Sequence, residues 1–270
     1  PHDKDPHELF EAIRAQSPGD EIIQVNHPRG SSLSGYFTYV GLDAETSQVV
    51  DEENWSLNWE VIEVFNGGCG GGEALQDWIG FTNNGILKTL GSGSDTHAES
   101  DPPGVPRNWI RIDEATVREN HGSLVPVVRD RSMFVSCGPF VRFEAIDISG
   151  ETLAHLGEFT GVDDAGGVNF WARVEAPSWI QLDQALLWEN GQVIESIALE
   201  PRDDPVVRLD TVFSVTPKAD AWYALQVLGS GSLYPAAFGG PPNALTNPIE
   251  VDADGDGLWT PPNGGPAQER

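Results

Sequence analysis

The sequence predicts an α/β segment over residues 1–147, of the kind found in barrel and open α/β folds. An all-β sandwich-like domain over 148–262 and a disordered tail over 263–270 follow it. Helix and strand patterns alternate in the first part. Acidic and imidazole side chains emerge directly after its strands, and from about Phe143–Gly150 onward the chain becomes short β-like runs at turn-rich spacing.

The first helix is expected from about Pro6 to Ala15, with Asp5 as N-cap, Pro6 at the first helical position and Glu8 where a capping-box acid belongs. Leu9, Phe10 and Ile13 share its apolar side. That cap chemistry makes His2 and His7 surface residues. Glu21–Val25 reads as a strand that runs straight into Asn26-His27-Pro28-Arg29-Gly30, and residues 31–59 as a long connection. In the next strand, Glu60–Phe65, alternation puts Val61, Glu63 and Phe65 on one face and Ile62 and Val64 on the other. The glycine-rich run Asn66–Gly72 reads as a flexible loop. A helix over Glu73–Thr82 should lay Leu75, Trp78, Ile79 and Thr82 on the sheet and end at Asn84-Gly85. Ile86–Leu90, bounded by Gly85 and Gly91, is the third strand, and Gly93-Ser94-Asp95-Thr96-His97 leaves its carboxyl end.

Carboxyl ends of parallel strands carry the chemistry of α/β folds, because their loops converge on one mouth. Three such ends here offer His27, Glu63, Asp95 and His97. Glu63 sits among apolar neighbours, and a buried carboxylate needs a partner; a divalent cation is one of the few that offsets ion desolvation. These four are the candidate metal ligands. Arg29 and Arg107, next in sequence to them, are candidates to neutralise charge on a substrate.

The segments Val25–Gly30, Ile62–Gly67, Gly93–His97, Pro106–Trp109 and Ser136–Phe140 together resemble the polymerase-and-histidinol-phosphatase superfamily of metal-dependent phosphoesterases, in its carbaryl-hydrolase-like branch. The resemblance covers about residues 1–147. It implies the second half of a distorted β/α barrel, with Zn²⁺, Mn²⁺ or Fe²⁺ held at the carboxyl mouth by His27, Asp95 and His97. Glu63 would be a ligand or would orient one. The family opens with a His-x-His pair on its first strand, which this sequence lacks. The resemblance therefore implies a carboxyl-terminal part or a shortened relative with an incomplete centre, and a small phosphoester or related ester as substrate.

A net charge of −27 argues against nucleic acid as a partner, since the phosphates would be repelled unless basic residues clustered. They do not cluster: 24 acidic residues face 10 basic ones in 1–147, and 18 face 5 in 148–270. No apolar run reaches the length of a membrane span. The two cysteines, Cys69 and Cys137, are no disulfide framework, and nothing in the sequence brings them together, so they read as unpaired; a bridge would belong to an exported protein.

Beyond the α/β segment, strands are expected at Val168–Val174, Gln184–Trp188, Val193–Ala198, Val206–Val215 and Ala221–Leu228, with Asn190-Gly191 as a hairpin turn. Trp171, Trp179, Trp188 and Trp222 read as core or inter-sheet residues. Near the end, Asp252-Ala253-Asp254-Gly255-Asp256-Gly257 has carboxylates at the first, third and fifth positions and glycine at the sixth, as in a calcium loop, although Asn263 stands where the bidentate glutamate belongs. Two functions follow as expectations. One is metal-dependent hydrolysis of phosphoesters or related esters, with the bound cation acidifying a water and polarising the substrate. The other is a non-catalytic extracellular calcium-binding or adhesion-type module.

Overall fold

A small parallel sheet leans on a much larger antiparallel assembly in the computed structural model, which describes residues 5–17, 19, 21–30, 35–99, 103–200, 206–234 and 240–269. Helix α1 (Pro6–Arg14) begins where its cap dictates: the Asp5 carboxylate accepts the Glu8 backbone N–H at 2.8 Å, with Pro6 in the first turn. Phe10 is buried, Leu9 and His7 are exposed, and His2 lies outside the described residues. Strand β1 (Gln24–Val25) follows. The expected long connection contains a further helix, α2 (Tyr36–Val40), stopped by Gly41 at φ 65°. Then come β2 (Val61–Asn66), α3 (Gly72–Asn83) and β3 (Thr89–Gly93), and the strands pair in parallel in the order β1-β2-β3.

Helix α3 ends in a Schellman turn: Gly85 N–H donates to the Thr82 carbonyl and Ile86 N–H to that of Phe81, with Gly85 left-handed at φ 77°. Ile86–Lys88 are thereby used up leaving the helix, and the third strand starts three residues later than its apolar run suggested. It runs through Gly91 instead of stopping there. A side chain at Gly91 would collide with Val61 of β2, so this glycine serves close strand approach and not a turn.

Behind this sheet Phe37, Trp55, Trp59 and Phe81 interlock, Trp55 stacked on Phe81, Phe37 tilted on Trp59 and the other pairs edge to face, with ring centroids 5.5–6.3 Å apart. Lys88 lies 4.5 Å over the Trp59 ring and donates to the carbonyls of Leu57 (2.7 Å) and Trp59 (2.6 Å). Burial pulls its amine down to about 8 from an ordinary 10.5, the neighbouring Glu60 opposing the shift. Between those two pH values the unfolded chain holds a proton that the folded protein has shed, so stability should rise with pH across this window. Urea titrations of the wild type relative to Lys88→Met from pH 7.5 to 10.5 should show a gain of about 1–3 kcal/mol. A flat difference would mean that the amine is solvated.

The remainder is β-rich. An edge strand β4 (Arg107–Ile110) leads through α4 (Glu114–Glu119), a short 3₁₀ turn and α5 (Leu124–Arg129) to β5 (Met133–Cys137) and β6 (Phe140–Ile146). Strands β7 (Thr152–Ala154), β8 (Phe159–Gly161), β9 (Val168–Glu175), β10 (Gln184–Glu189), β11 (Gln192–Ala198), β12 (Val207–Val215) and β13 (Ala221–Leu228) come next. The chain closes with β14 (Asn243–Thr246), β15 (Ile249–Asp252), β16 (Leu258–Trp259) and β17 (Gln268–Glu269). One sheet runs β11-β10-β13-β14-β5-β4, with β15 beside β13 and β8 beside β15; a second runs β12-β9-β6-β7. Phe170 of the second sheet meets Tyr223 of the first at 4.8 Å, which makes a sandwich-like core. Asn190 (φ 53°) and Gly191 (φ 83°) form the expected hairpin turn between β10 and β11.

The α/β barrel segment is therefore a misreading. Its three parallel strands form an open sheet, the other sheets are dominated by antiparallel pairing, and among the described residues no sheet closes on itself. The physical reason lies in β4, β5 and β6. Each pairs with an antiparallel neighbour, β5 with β14 and β6 with β9, so the sheets run across residue 147. Asparagines join the parallel strands to this assembly. Asn247, fully buried, accepts from Leu90 N–H and donates to the carbonyls of Leu90 and Met133, and Asn108 of β4 exchanges hydrogen bonds with the Ser92 backbone at 2.9 and 3.1 Å. A disulfide adds to them. Cys69 and Cys137, read as unpaired, are bridged, with Cα atoms 5.8 Å apart.

Two smaller expectations are also corrected. Trp188 and Trp222 are buried and Trp171 is half-buried, its N–H on Asp210, but Trp179 is 56 % exposed. The end of the chain, read as a disordered tail, folds back as far as Glu269: Asn263 N–H donates to the Asn83 carbonyl, and Gln268 donates to that of Gly85. Among the described residues no helix is long and apolar enough to cross a membrane.

Candidate functional site

The two ends of the parallel sheet differ in chemistry. At its amino end Glu60 takes Arg14 at 2.6 Å, Arg129 at 3.2 Å and the Ile23 backbone N–H at 2.9 Å, while Arg14 also holds Glu21 at 2.8 Å. These charges satisfy one another, a tie between α1, β1, β2 and α5.

The carboxyl end gathers the predicted ligands. Glu63, 2 % exposed, receives the His27 backbone N–H at 2.5 Å and the Asn66 amide at 2.9 Å, both on Oε2. Its other oxygen lies against Gly93, where any side chain would displace it. Burial raises the Glu63 carboxyl above its ordinary range; the bonds from His27 and Asn66 oppose that shift, and nearby Asp95 adds to it. The Asp95 side chain packs beside Gly67, and its Oδ1 holds His97 Nε2 at 2.8 Å. His27 (φ 33°) and Asp95 (φ 51°) are both in the left-handed region, a costly backbone state for residues other than glycine, and both sit at this one sheet end.

His27, Glu63, Asp95 and His97 thus share one neighbourhood, with His27, Asp95 and His97 exposed and Glu63 beneath them. Mixed imidazole and carboxylate donors of this kind do not choose among divalent metals. Their ligand atoms are not drawn together as they stand, since His97 is turned onto Asp95. Asn66, which grips Glu63, was not singled out by sequence reasoning; its place at the last residue of β2, three beyond Glu63, is the signal that could have found it.

One of the two arginines is a correction. Arg29 grips Asp77 of α3 through both Nε (2.7 Å) and Nη2 and donates to the Leu42 carbonyl at 2.9 Å, so it is committed to structure. Desolvation raises the Asp77 carboxyl even so, with Arg29 opposing. Arg107 is exposed on edge strand β4, whose next residue, Asn108, is the one that reaches β3.

A second cluster lies at the calcium-like loop. Asp220, Asp252 and Asp254 each offer a carboxylate oxygen, and the three oxygens lie within 4.8 Å of one another, the one such group of metal-binding side chains among the described residues. Antiparallel pairing of Ala221 with Val251 puts Asp220 beside Asp252. Sequence reading missed Asp220 because the register of two strands, not spacing along the chain, delivers it. Asp256, expected as a ligand, instead accepts the Leu258 N–H at 2.8 Å and is not in the group.

The fold and sites together define a β-rich, sandwich-like protein with a parallel-sheet appendage and one group of carboxylates, Asp220, Asp252 and Asp254, that could hold a metal ion. No protein-family model and no curated protein matches the chain. Among solved structures it is similar to the CARDB domain of the PF1109 protein from Pyrococcus furiosus, crystallised with di-metal ions. Identity is 13 %, over 42 % of this chain and 94 % of that one, with a TM-score of 0.24. It is also similar to an engineered protein at 9 % identity, over 72 % of this chain and 49 % of that one, with a TM-score of 0.25.

Proposed function

We propose that the carboxyl end of the parallel sheet holds a divalent transition metal and that the chain belongs to a metal-dependent hydrolase of phosphoesters or related esters. The observation that carries this reading is that His27, Glu63, Asp95 and His97 all lie at the carboxyl ends of three adjacent parallel strands, with Glu63 ionisable yet 2 % exposed. The resemblance of these segments to metal-dependent phosphoesterases supports it. His27, Asp95 and His97 would hold the ion, which when bound supplies Lewis-acid polarisation of the substrate and acidifies a water. The protein's own part is positioning: Asn66 and the His27 backbone hold Glu63.

Metal-stripped protein titrated with Mn²⁺ and Zn²⁺, and assayed on p-nitrophenyl phosphate and its diester, tests this reading. Stoichiometric binding lost in His97→Ala is the expected result; no binding at this end would overturn it. Glu63→Gln separates function from stability. Because burial raises the Glu63 carboxyl, its charge at neutral pH is held at a cost that is absent below the unfolded pKa and grows as pH rises through the folded one. The variant should be at least as stable as the wild type at pH 7 while binding metal roughly 100-fold more weakly.

The Asp220–Asp252–Asp254 group supports a second reading, a structural calcium site in a non-catalytic module. Calcium-dependent thermal stabilisation lost in Asp220→Asn, without transition-metal binding, would favour it. The Cys69–Cys137 bridge supports an oxidising compartment for either reading.

A further inference from the structure

Six arginines of this acidic protein, Arg14, Arg29, Arg118, Arg129, Arg131 and Arg173, are paired with carboxylates. Among the described residues Arg107, Arg111, Arg142 and Arg208 have no such partner, and Arg111 and Arg142 line the same cavity of about 320 Å³, between β4 and β5 on one side and β6 on the other. Its floor is apolar, formed by Met133, Val141, Phe143 and Leu156. Its wall is an aromatic corner. Trp109, 38 % exposed, stacks on Phe134 at 6.2 Å, and both meet Phe140 edge-on at 5.1 and 5.4 Å. The Arg142 guanidinium stands 5.9 Å over the Phe140 ring.

The polar groups that face this cavity are Arg111, Arg142, His155, Glu144 and Ser132. Arg111 Nη2 donates to His155 Nε2 at 2.7 Å, which fixes the imidazole proton on Nδ1. That buried N–H finds no hydrogen-bond partner among the described residues, because Glu144 Oε1 is 3.6 Å away, and Thr152 donates to the other Glu144 oxygen at 2.8 Å. Two cations and an unfilled donor thus outweigh one carboxylate at the rim. Asp130 and Glu158 line an adjoining cavity that shares Arg111.

We propose that this cavity binds a small aromatic carboxylate, its ring against Trp109 and Phe140 and its anionic group between Arg111 and Arg142. An aryl body suits the apolar floor, which lacks the ring of donors and acceptors that a sugar needs. Guanidinium groups without carboxylate partners among the described residues supply the charge complement, in a protein whose overall field would otherwise repel an anion. This site is independent of the strand-end cluster, and its test does not involve metal.

Calorimetric and NMR titrations with 3-phenylpropanoate, 3-phenylpropan-1-ol, 3-phenylpropylamine and glucuronate decide the matter. The carboxylate should bind about tenfold more tightly than the alcohol, the amine and glucuronate should not bind, and added salt should weaken the carboxylate alone. Arg111→Gln and Arg142→Gln, both at exposed side chains and checked for unchanged melting, should each remove most of the carboxylate's advantage and leave the alcohol unaffected. Trp109→Ala should weaken both. Equal affinity for acid and alcohol, preference for the amine, binding of glucuronate, or no binding of 3-phenylpropanoate would each overturn the proposal.

Discussion

Replacing Cys69 and Cys137 together by alanine is expected to lower the unfolding free energy by about 4 kcal/mol, the chain-entropy value for a loop of this length. The sequence separation is 68 residues, and the bridge ties the glycine-rich loop after β2 to the last residue of β5. Both half-cystines are buried, at 6 % and 0 % exposure, so the loss belongs to the crosslink and not to exposed thiol chemistry. The Cys69 carbonyl is also held by Asn243 at 2.7 Å, and this bond should keep the loop near its place in the variant. Urea unfolding of oxidised wild type, of wild type in dithiothreitol and of the double variant checks the value. The last two should agree, and both should lie well below the first. A loss under 1 kcal/mol would mean that the unfolded chain gains little freedom from the cut.

Much of the local structure was legible in the sequence because short-range chemistry decides it. Asp5 and Pro6 set the start of α1, Asn84 and Gly85 the end of α3, and Asn190-Gly191 the hairpin. Alternating burial in Val168–Glu175 follows its period-two pattern. What could not be read depends on partners distant in sequence. The run Met133–Cys137 is apolar whichever strand it joins, and only pairing with β14 and β4 makes it interior to a sheet. The exchange of hydrogen bonds between Asn108 and Ser92 carries no local signature. The same holds for the sites: His27, Glu63, Asp95 and His97 follow from strand-exit logic, whereas Asp220 joins Asp252 through cross-strand register alone, and Arg29 is withdrawn from any substrate by an Asp77 that lies 48 residues away.

The buried pair Arg131–Glu250 should be the most sensitive single point in the protein. Arg131, 2 % exposed, holds both carboxylate oxygens of Glu250, which is fully buried, and donates to the Gly157 carbonyl at 3.1 Å. It thereby links the turn before β5 to β15 and to the turn before β8. Glu250→Gln leaves a guanidinium in the interior without its counter-charge, and Arg131→Met leaves a carboxylate; either should cost about 3–5 kcal/mol. The double variant Arg131→Met with Glu250→Leu removes both charges from a site where desolvation offsets much of their attraction. It should therefore be more stable than either single variant, a coupling of several kcal/mol in the double-mutant cycle. Equilibrium urea unfolding of the four proteins measures it, with circular dichroism to confirm that each folds. Additive losses would show that the pair is wet enough for each charge to be solvated alone, contrary to its burial.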